Sequence, residues 1–395
     1  MGLGEHGCDR FLSTRNTILN CKTRPPTCFL ETVSASLSSR TNYALMDHGC
    51  LQRVNTLSFV TKPSRHLRMD GSTHMPLSPQ DQDRLTQIFF PRSEIKKEEV
   101  MSAGCRFVYY TTADTATKIL RSRQIWLRNT AVMNDYSEVQ YGFQCLNDAY
   151  KAEPGENFNT ALNACFQGLA DEVRDLFNGW LPIIFDDTYL TCVSQHLPEE
   201  NEHGRLSMWR AYGCGTGIAL VINGAVMFGN TQVLEVFSSP VLYERPETVA
   251  EQLNQVAKNI TNDLGFLRDL GREHLKSAVF NMFLFGILCT KHPGFHEERE
   301  WRVIASPQIF PTPHCTFAIE VIQGTPQRVL KLDLKNHTEQ GLVGLAIPDL
   351  IDRIIIGPCQ FPAIIRQAFL DLLQETGVPD AGRKIVVSDI PLRQA

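Results

Sequence analysis

The chain has no surplus of positive charge, no Cys-x-x-Cys pair and no apolar run long enough to cross a bilayer. Each absence excludes something. A formal net charge of −5 at pH 7 removes the basic footprint that generic binding to a nucleic-acid backbone requires. Twelve cysteines are spread over 395 residues without clustering, so reduced, mostly buried thiols are expected in place of a disulfide framework. The longest apolar run, Val279 to Cys289, contains Asn281 and falls short of the roughly 20 residues of a membrane span. It reads as a buried helix. The N-terminus lacks the continuous apolar core of a secretory signal, and Glu5 and Asp9 interrupt its arginines and serines. No internal repeat is visible. These absences point to a cytoplasmic protein with no membrane partner and no generic DNA binding.

With 43% apolar and 21% charged residues, there is ample material for a core. Residues 1 to about 100 are rich in Ser, Thr, Arg, Asn and Pro and keep neither a helical nor a strand period. They read as a flexible, poorly ordered N-terminal extension, with one or two helical turns at Asp81 to Phe90. A single α+β domain is expected over 105–390. Phe107 to Tyr110 reads as a strand, Asp114 as the N-cap of a helix carrying Ile119 and Leu120, and Gln124 to Leu127 as a second strand. Further helices are expected up to about Tyr150, over Thr160 to Asn178, twice between Glu247 and Cys289, and over Phe361 to Gln374. Strands are expected at Thr188 to Ser194, Ile218 to Ile222, Gln232 to Phe237, Val241 to Tyr243, Thr316 to Ile322, Arg328 to Leu332, Arg353 to Ile356 and Lys384 to Ser388.

The stretch with the densest chemistry is His292 to Ala305. Pro293 and Gly294 discourage a helix, so Glu298 to Ala305 reads as a turn feeding a strand that carries Glu298, Glu300 and Arg302 on one face. Carboxylates about 6 to 7 Å apart beside a guanidinium can hold a cationic or polyhydroxy ligand. The bland reading is a solvated edge strand whose charges prevent pairing. His292 and His296 would suit a metal only on a helix, so no metal site is expected. Cys192, Cys214 and His196 could form a thiol nucleophile and base, but among twelve cysteines inert buried thiols are the expectation. Trp209 and Tyr212, three apart, read either as core anchors or as a stacking platform for an aromatic ligand. The glycines from Gly213 to Gly217 precede a strand and do not join a strand to a helix, which argues against a dinucleotide-binding turn.

Several landmarks also recur in a fixed order. Tyr109-Tyr110-Thr111 precedes Ile119-Leu120, Ile125-Trp126-Leu127, Asn134-Asp135 and Glu138. Cys192-Val193-Ser194, Met208 to Tyr212 with Gly217, Val241 to Tyr243, Glu298 to Arg302 and Ile354 to Gly357 then follow. Over about residues 105 to 360 this resembles the bacterial family catalogued as domain of unknown function 2971. That family is similar in pattern to the ADP-ribosyltransferase superfold, and the resemblance implies a mixed, split β-sheet core with flanking helices. It also implies an NAD-consuming ADP-ribosyltransferase or NAD glycohydrolase, with NAD as co-substrate and an unidentified protein or nucleic-acid acceptor. On that analogy Glu300 is the catalytic glutamate and Glu298 its partner, while Arg302 keeps both ionised. Tyr110 and Thr111 would contact the nicotinamide ribose or amide, Ser194 would face the cleft, and Trp209 and Tyr212 would offer aromatic faces to the cofactor. A rival of another class is a catalytically silent module sensing a nucleotide or partner through the same cleft. The acidic balance weakens a third reading, phosphotransfer or nuclease action on RNA ends.

Overall fold

The computed structural model describes residues 77–391 apart from 133–135, 214, 230 and 323. Most of the expected N-terminal extension therefore lies outside the described residues. Its last part does not: α1 (Pro79–Phe89) and α2 (Pro91–Ser102) are regular helices, and Leu85, Ile88 and Phe89 join the main core. Ser78 caps α1 by accepting from the Asp81 amide, and a proline opens each helix where the missing N–H costs nothing. The folded body thus begins well before Cys105.

β1 (Arg106–Thr112), α3 (Ala113–Ser122) and β2 (Gln124–Asn129) follow the expected strand, helix, strand order. The cap of α3 is Thr112, whose side chain accepts from the Thr115 amide, while the expected cap, Asp114, pairs with Lys118 at 2.9 Å. The single helix expected over Thr160 to Asn178 is two. After α4 (Tyr136–Lys151) come α5 (Glu153–Cys165) and α6 (Leu169–Asp186), separated at Gly168, whose φ of 79° no helix accommodates. β3 (Tyr189–Gln195) and β4 (Gly217–Asn223) lie as expected, and the stretch between them holds a short helix, α7 (Leu206–Tyr212). The strand expected over Gln232 to Phe237 is a 3-10 turn, Thr231–Leu234, then β5 (Phe237–Pro240), because Glu235 takes φ 50° and breaks the extension. After β6 (Leu242–Tyr243), α8 (Pro246–Asn262), α9 (Leu264–Leu270) and α10 (Arg272–Leu288) make three helices where two were expected. The second break falls at Gly271, with φ 94°. The chain closes with β7 (Thr290–Lys291), β8 (Glu300–Ala305), β9 (Cys315–Ile322), β10 (Thr325–Asp333), α11 (Ile347–Leu350), β11 (Ile351–Ile356), α12 (Pro362–Glu375) and β12 (Ile385–Val387).

Ten strands form one mixed sheet, ordered β12-β11-β4-β1-β3-β2-β10-β9, with β8 attached to β3 and β5 to β8. Only β11 and β12 run parallel within it. The sheet forks at β3. One edge of β3 pairs with β8 from Tyr189 to Ser194, and the other is shared, with β1 at Ser194 and Gln195 and β2 at Tyr189 and Leu190. This is the mixed sheet with flanking helices that the sequence implied.

Alternation along β1, β3 and β8 sorts their side chains to two faces. Tyr110, Cys192, Ser194, Glu300 and Arg302 point one way. Tyr109, Thr111, Thr191, Val193 and Val303 point the other. The first face is covered by the helical layer of α1, α4–α6 and α8–α10, which share a core with Leu190 and Ile304. Within that layer α4 lies very close to α10: a Cβ at Gly142 would sit 2.3 Å from the Ile287 carbonyl oxygen. One turn earlier, the same approach delivers Glu138 to the end of β8.

Candidate functional site

The centre of the site is a buried ion network built on β7 and β8. The Lys291 ammonium lies 2.7 Å from Glu138, 2.6 Å from Glu298 and 3.1 Å from Glu300. It fills the position that a metal ion would take between three carboxylates. Arg302, fully buried, donates from Nε to Glu300 Oε1 at 2.7 Å, from Nη2 to Glu138 Oε2 at 2.6 Å, and from Nη1 to the Leu288 carbonyl at the C-terminus of α10. A cation at that helix end is favourably placed against the helix dipole. The Glu300 amide donates to the Tyr243 hydroxyl at 2.8 Å.

Burial alone would raise the Glu300 pKa, but the charges of Arg302 and Lys291 outweigh it and hold the carboxyl at about 2. Burial would likewise lower Lys291, and the surrounding carboxylates, Glu300 foremost, instead raise it. Because the Glu300 value in the folded state lies below its ordinary 4.5, its contribution to stability is complete above pH 4.5 and is lost as pH falls toward 2. Urea unfolding followed across that window is expected to show a loss on the order of 3 kcal/mol. Stability that stays flat down to about pH 2 would remove Glu300 from the network's energetics.

Glu298 differs from Glu300 in one respect. The strand begins at Glu300, so Glu298 ends a 3-10 turn, Pro293–Glu298, and Arg299 follows in the left-handed region at φ 44°. The expected three-residue strand face is therefore two residues plus a turn, although both glutamates still reach Lys291. The turn is clamped from beneath. Ser194 Oγ donates to the Glu298 carbonyl, and Arg205 Nη1 donates to Ser194 Oγ at 2.8 Å and to the Glu297 carbonyl at 2.7 Å. Arg205 is itself held by Glu200, at 2.8 Å. The Glu298 side chain keeps 21% of its surface exposed against 5% for Glu300. Its Oε2 is on Lys291, while Oε1 faces the Tyr212 hydroxyl at 3.5 Å. Tyr212 is exposed, and the equally exposed Phe295 ring stacks 4.7 Å from Lys291 Nζ. Glu298 reaches from this network to a surface that also carries the Tyr212 and Phe295 rings.

The structure thus brings together Glu298, Glu300, Arg302, Ser194 and Tyr212. Tyr110 touches the assembly indirectly: its hydroxyl accepts from the Arg205 amide at 2.8 Å, and its buried ring meets Trp209 edge-on at 4.9 Å. Trp209 is a buried anchor whose Nε1 donates to the His203 carbonyl. Thr111 points to the opposite face of β1 from Tyr110. Of the cysteine set, the Cys192 thiol donates to Glu300, His196 is buried against Asn201, and Cys214 lies outside the described residues. Sequence reasoning missed Lys291, Arg205 and Phe295 as parts of the site. A lysine two residues after the apolar run of α10 was the available signal, since a lysine there must find carboxylates or leave the core.

Fold and site define a mixed α/β protein with a buried ion network supporting an acidic, aromatic-flanked patch. Residues 208–303, which run from within α7 through β4–β7 and α8–α10 into β8, match the family described as protein of unknown function (DUF2971). The resemblance read from the sequence holds over that segment. No curated protein and no solved structure matches the chain.

Proposed function

We propose that the chain is an NAD-consuming enzyme of the ADP-ribosyl type, a transferase or glycohydrolase working at the Glu298 patch. The observation that supports this most is the state of Glu298: one oxygen fixed by Lys291, the other turned toward an exposed tyrosine. As the bond between ribose C1 and nicotinamide breaks, the electron pair leaves with neutral nicotinamide and the ribose develops oxocarbenium character. A pre-oriented carboxylate stabilises that charge without reorganising. The acceptor oxygen, from water or another molecule, then bonds to C1 and gives its proton to Glu298. Tyr212 and Phe295 supply faces for the nicotinamide ring. In this reading Glu298 meets the substrate, while Glu300, both of whose oxygens are bound by Arg302 and Lys291, positions it through Lys291.

Wild-type protein incubated with NAD, alone and with cell extract, is expected to release nicotinamide. Glu298→Gln should lower the rate by roughly 100- to 1000-fold with an unchanged melting temperature. Burial of Glu300 favours a second reading, a silent nucleotide-sensing module. That module would show an NAD-induced thermal shift without nicotinamide release. Neither shift nor release under any condition would sink both.

A further inference from the structure

Behind the candidate site, on the other face of the same strands, the sheet encloses an apolar cavity of about 80 Å³. Its wall includes Tyr109 of β1, Thr191 of β3, Val303 of β8 and Leu220 of β4, closed over by Val226 and Leu345 from the loops beyond the sheet. Their immediate neighbours Tyr110, Cys192 and Arg302 lie on the site face, so one layer of backbone separates the cavity from the ion network.

We propose that this cavity is a binding site for an uncharged, apolar ligand or ligand group, a hydrocarbon ring or a branched alkyl moiety. Protein interiors pack to the density of organic crystals, and a void of this size forfeits the dispersion contacts of its lining. By the same measure a single water needs only about 10–15 Å³, so the space is several waters large. Water entering would find almost nothing to bond. Ser238 Oγ donates to the Met227 carbonyl at 2.6 Å. The surface that the wall turns to the cavity is alkyl and aromatic, with no polar atom exposed on it. A charged ligand would lose its hydration with no partner; an apolar one restores the missing contacts.

Toluene and sodium benzoate separate these cases, being similar in size and different in charge. Toluene is expected to raise the melting temperature saturably, by about 2–4 °C at ten times its dissociation constant, and to shift the methyl resonances of Leu220, Val226 and Val303 in wild-type protein. Benzoate at the same concentrations should do neither. Val226→Trp, which fills the space, should abolish the toluene response. If that variant fails to fold, the methyl map of the wild type decides alone. Toluene shifts confined to methyls elsewhere, an equal response to benzoate, or an undiminished response in folded Val226→Trp would each overturn the proposal.

Discussion

Arg302→Met is expected to lower the unfolding free energy by roughly 3–5 kcal/mol, the scale seen when one partner of a buried ion pair is removed. The reason lies in what stays behind. Glu138 and Glu300 would keep their burial and their charge but lose the guanidinium that satisfies an oxygen of each, and the Leu288 carbonyl would lose its donor. Lys291 remains within reach of both carboxylates, so the loss should stop short of unfolding the protein at room temperature. Urea denaturation of Arg302→Met, of Glu300→Gln and of the double variant forms a cycle, and the pair should couple by about 0.5–3 kcal/mol. An additive cycle would mean that the two side chains are merely neighbours. The same geometry bears on assays of activity. Glu300→Ala removes a buried structural charge together with any chemical role, whereas Glu298→Gln at the rim perturbs the chemistry with the fold intact.

How much of this was readable beforehand depended on whether the controlling interaction was local. β1, β2, β3 and β4 announced themselves by β-branched and aromatic runs whose burial is set by their own side chains. Breaks controlled by a single backbone conformation were harder. Gly168 splits a helical pattern that continues on both sides of it, and Glu235 takes a left-handed conformation that its residue type does not favour. The site divided in the same way. Glu298, Glu300 and Arg302 stood out because they are close in sequence, and Arg302 does hold Glu300 ionised as expected. Lys291 belongs to a two-residue strand, Glu138 arrives through the approach of α4 to α10, and Arg205 reaches the turn from a loop more than 90 residues away. Those relations are made by tertiary packing and leave no spacing to read. Thr111 was drawn into the site by adjacency to Tyr110, yet strand alternation alone turns neighbouring residues to opposite faces.

Trp209→Ala carries the other large expected effect, a loss of roughly 3–5 kcal/mol. Trp209 could be a core anchor or a ligand-stacking platform, and its surroundings decide for the anchor. The indole is almost fully buried, its N–H is spent on the His203 carbonyl, and its edge meets Tyr110. Three glycines make room for it: a Cβ at Gly204, Gly217 or Gly357 would approach the ring to 2.7, 3.0 and 2.9 Å. That accounts for glycine at Gly217, the first residue of β4, and for Gly357 directly after β11. Truncation to alanine would empty a pocket walled by backbone, which cannot collapse as flexible side chains do. Gly217→Val tests the same packing from the other side, since overfilling against the ring should cost about 1–3 kcal/mol. Both variants should also weaken whatever binds at the Glu298 patch, because Tyr212 lies one turn beyond Trp209 on the same seven-residue helix. A stacking platform would differ in stability, with binding lost and the unfolding free energy unchanged in Trp209→Ala. Chemical denaturation beside NAD-induced thermal shift, measured on the same samples, separates the two.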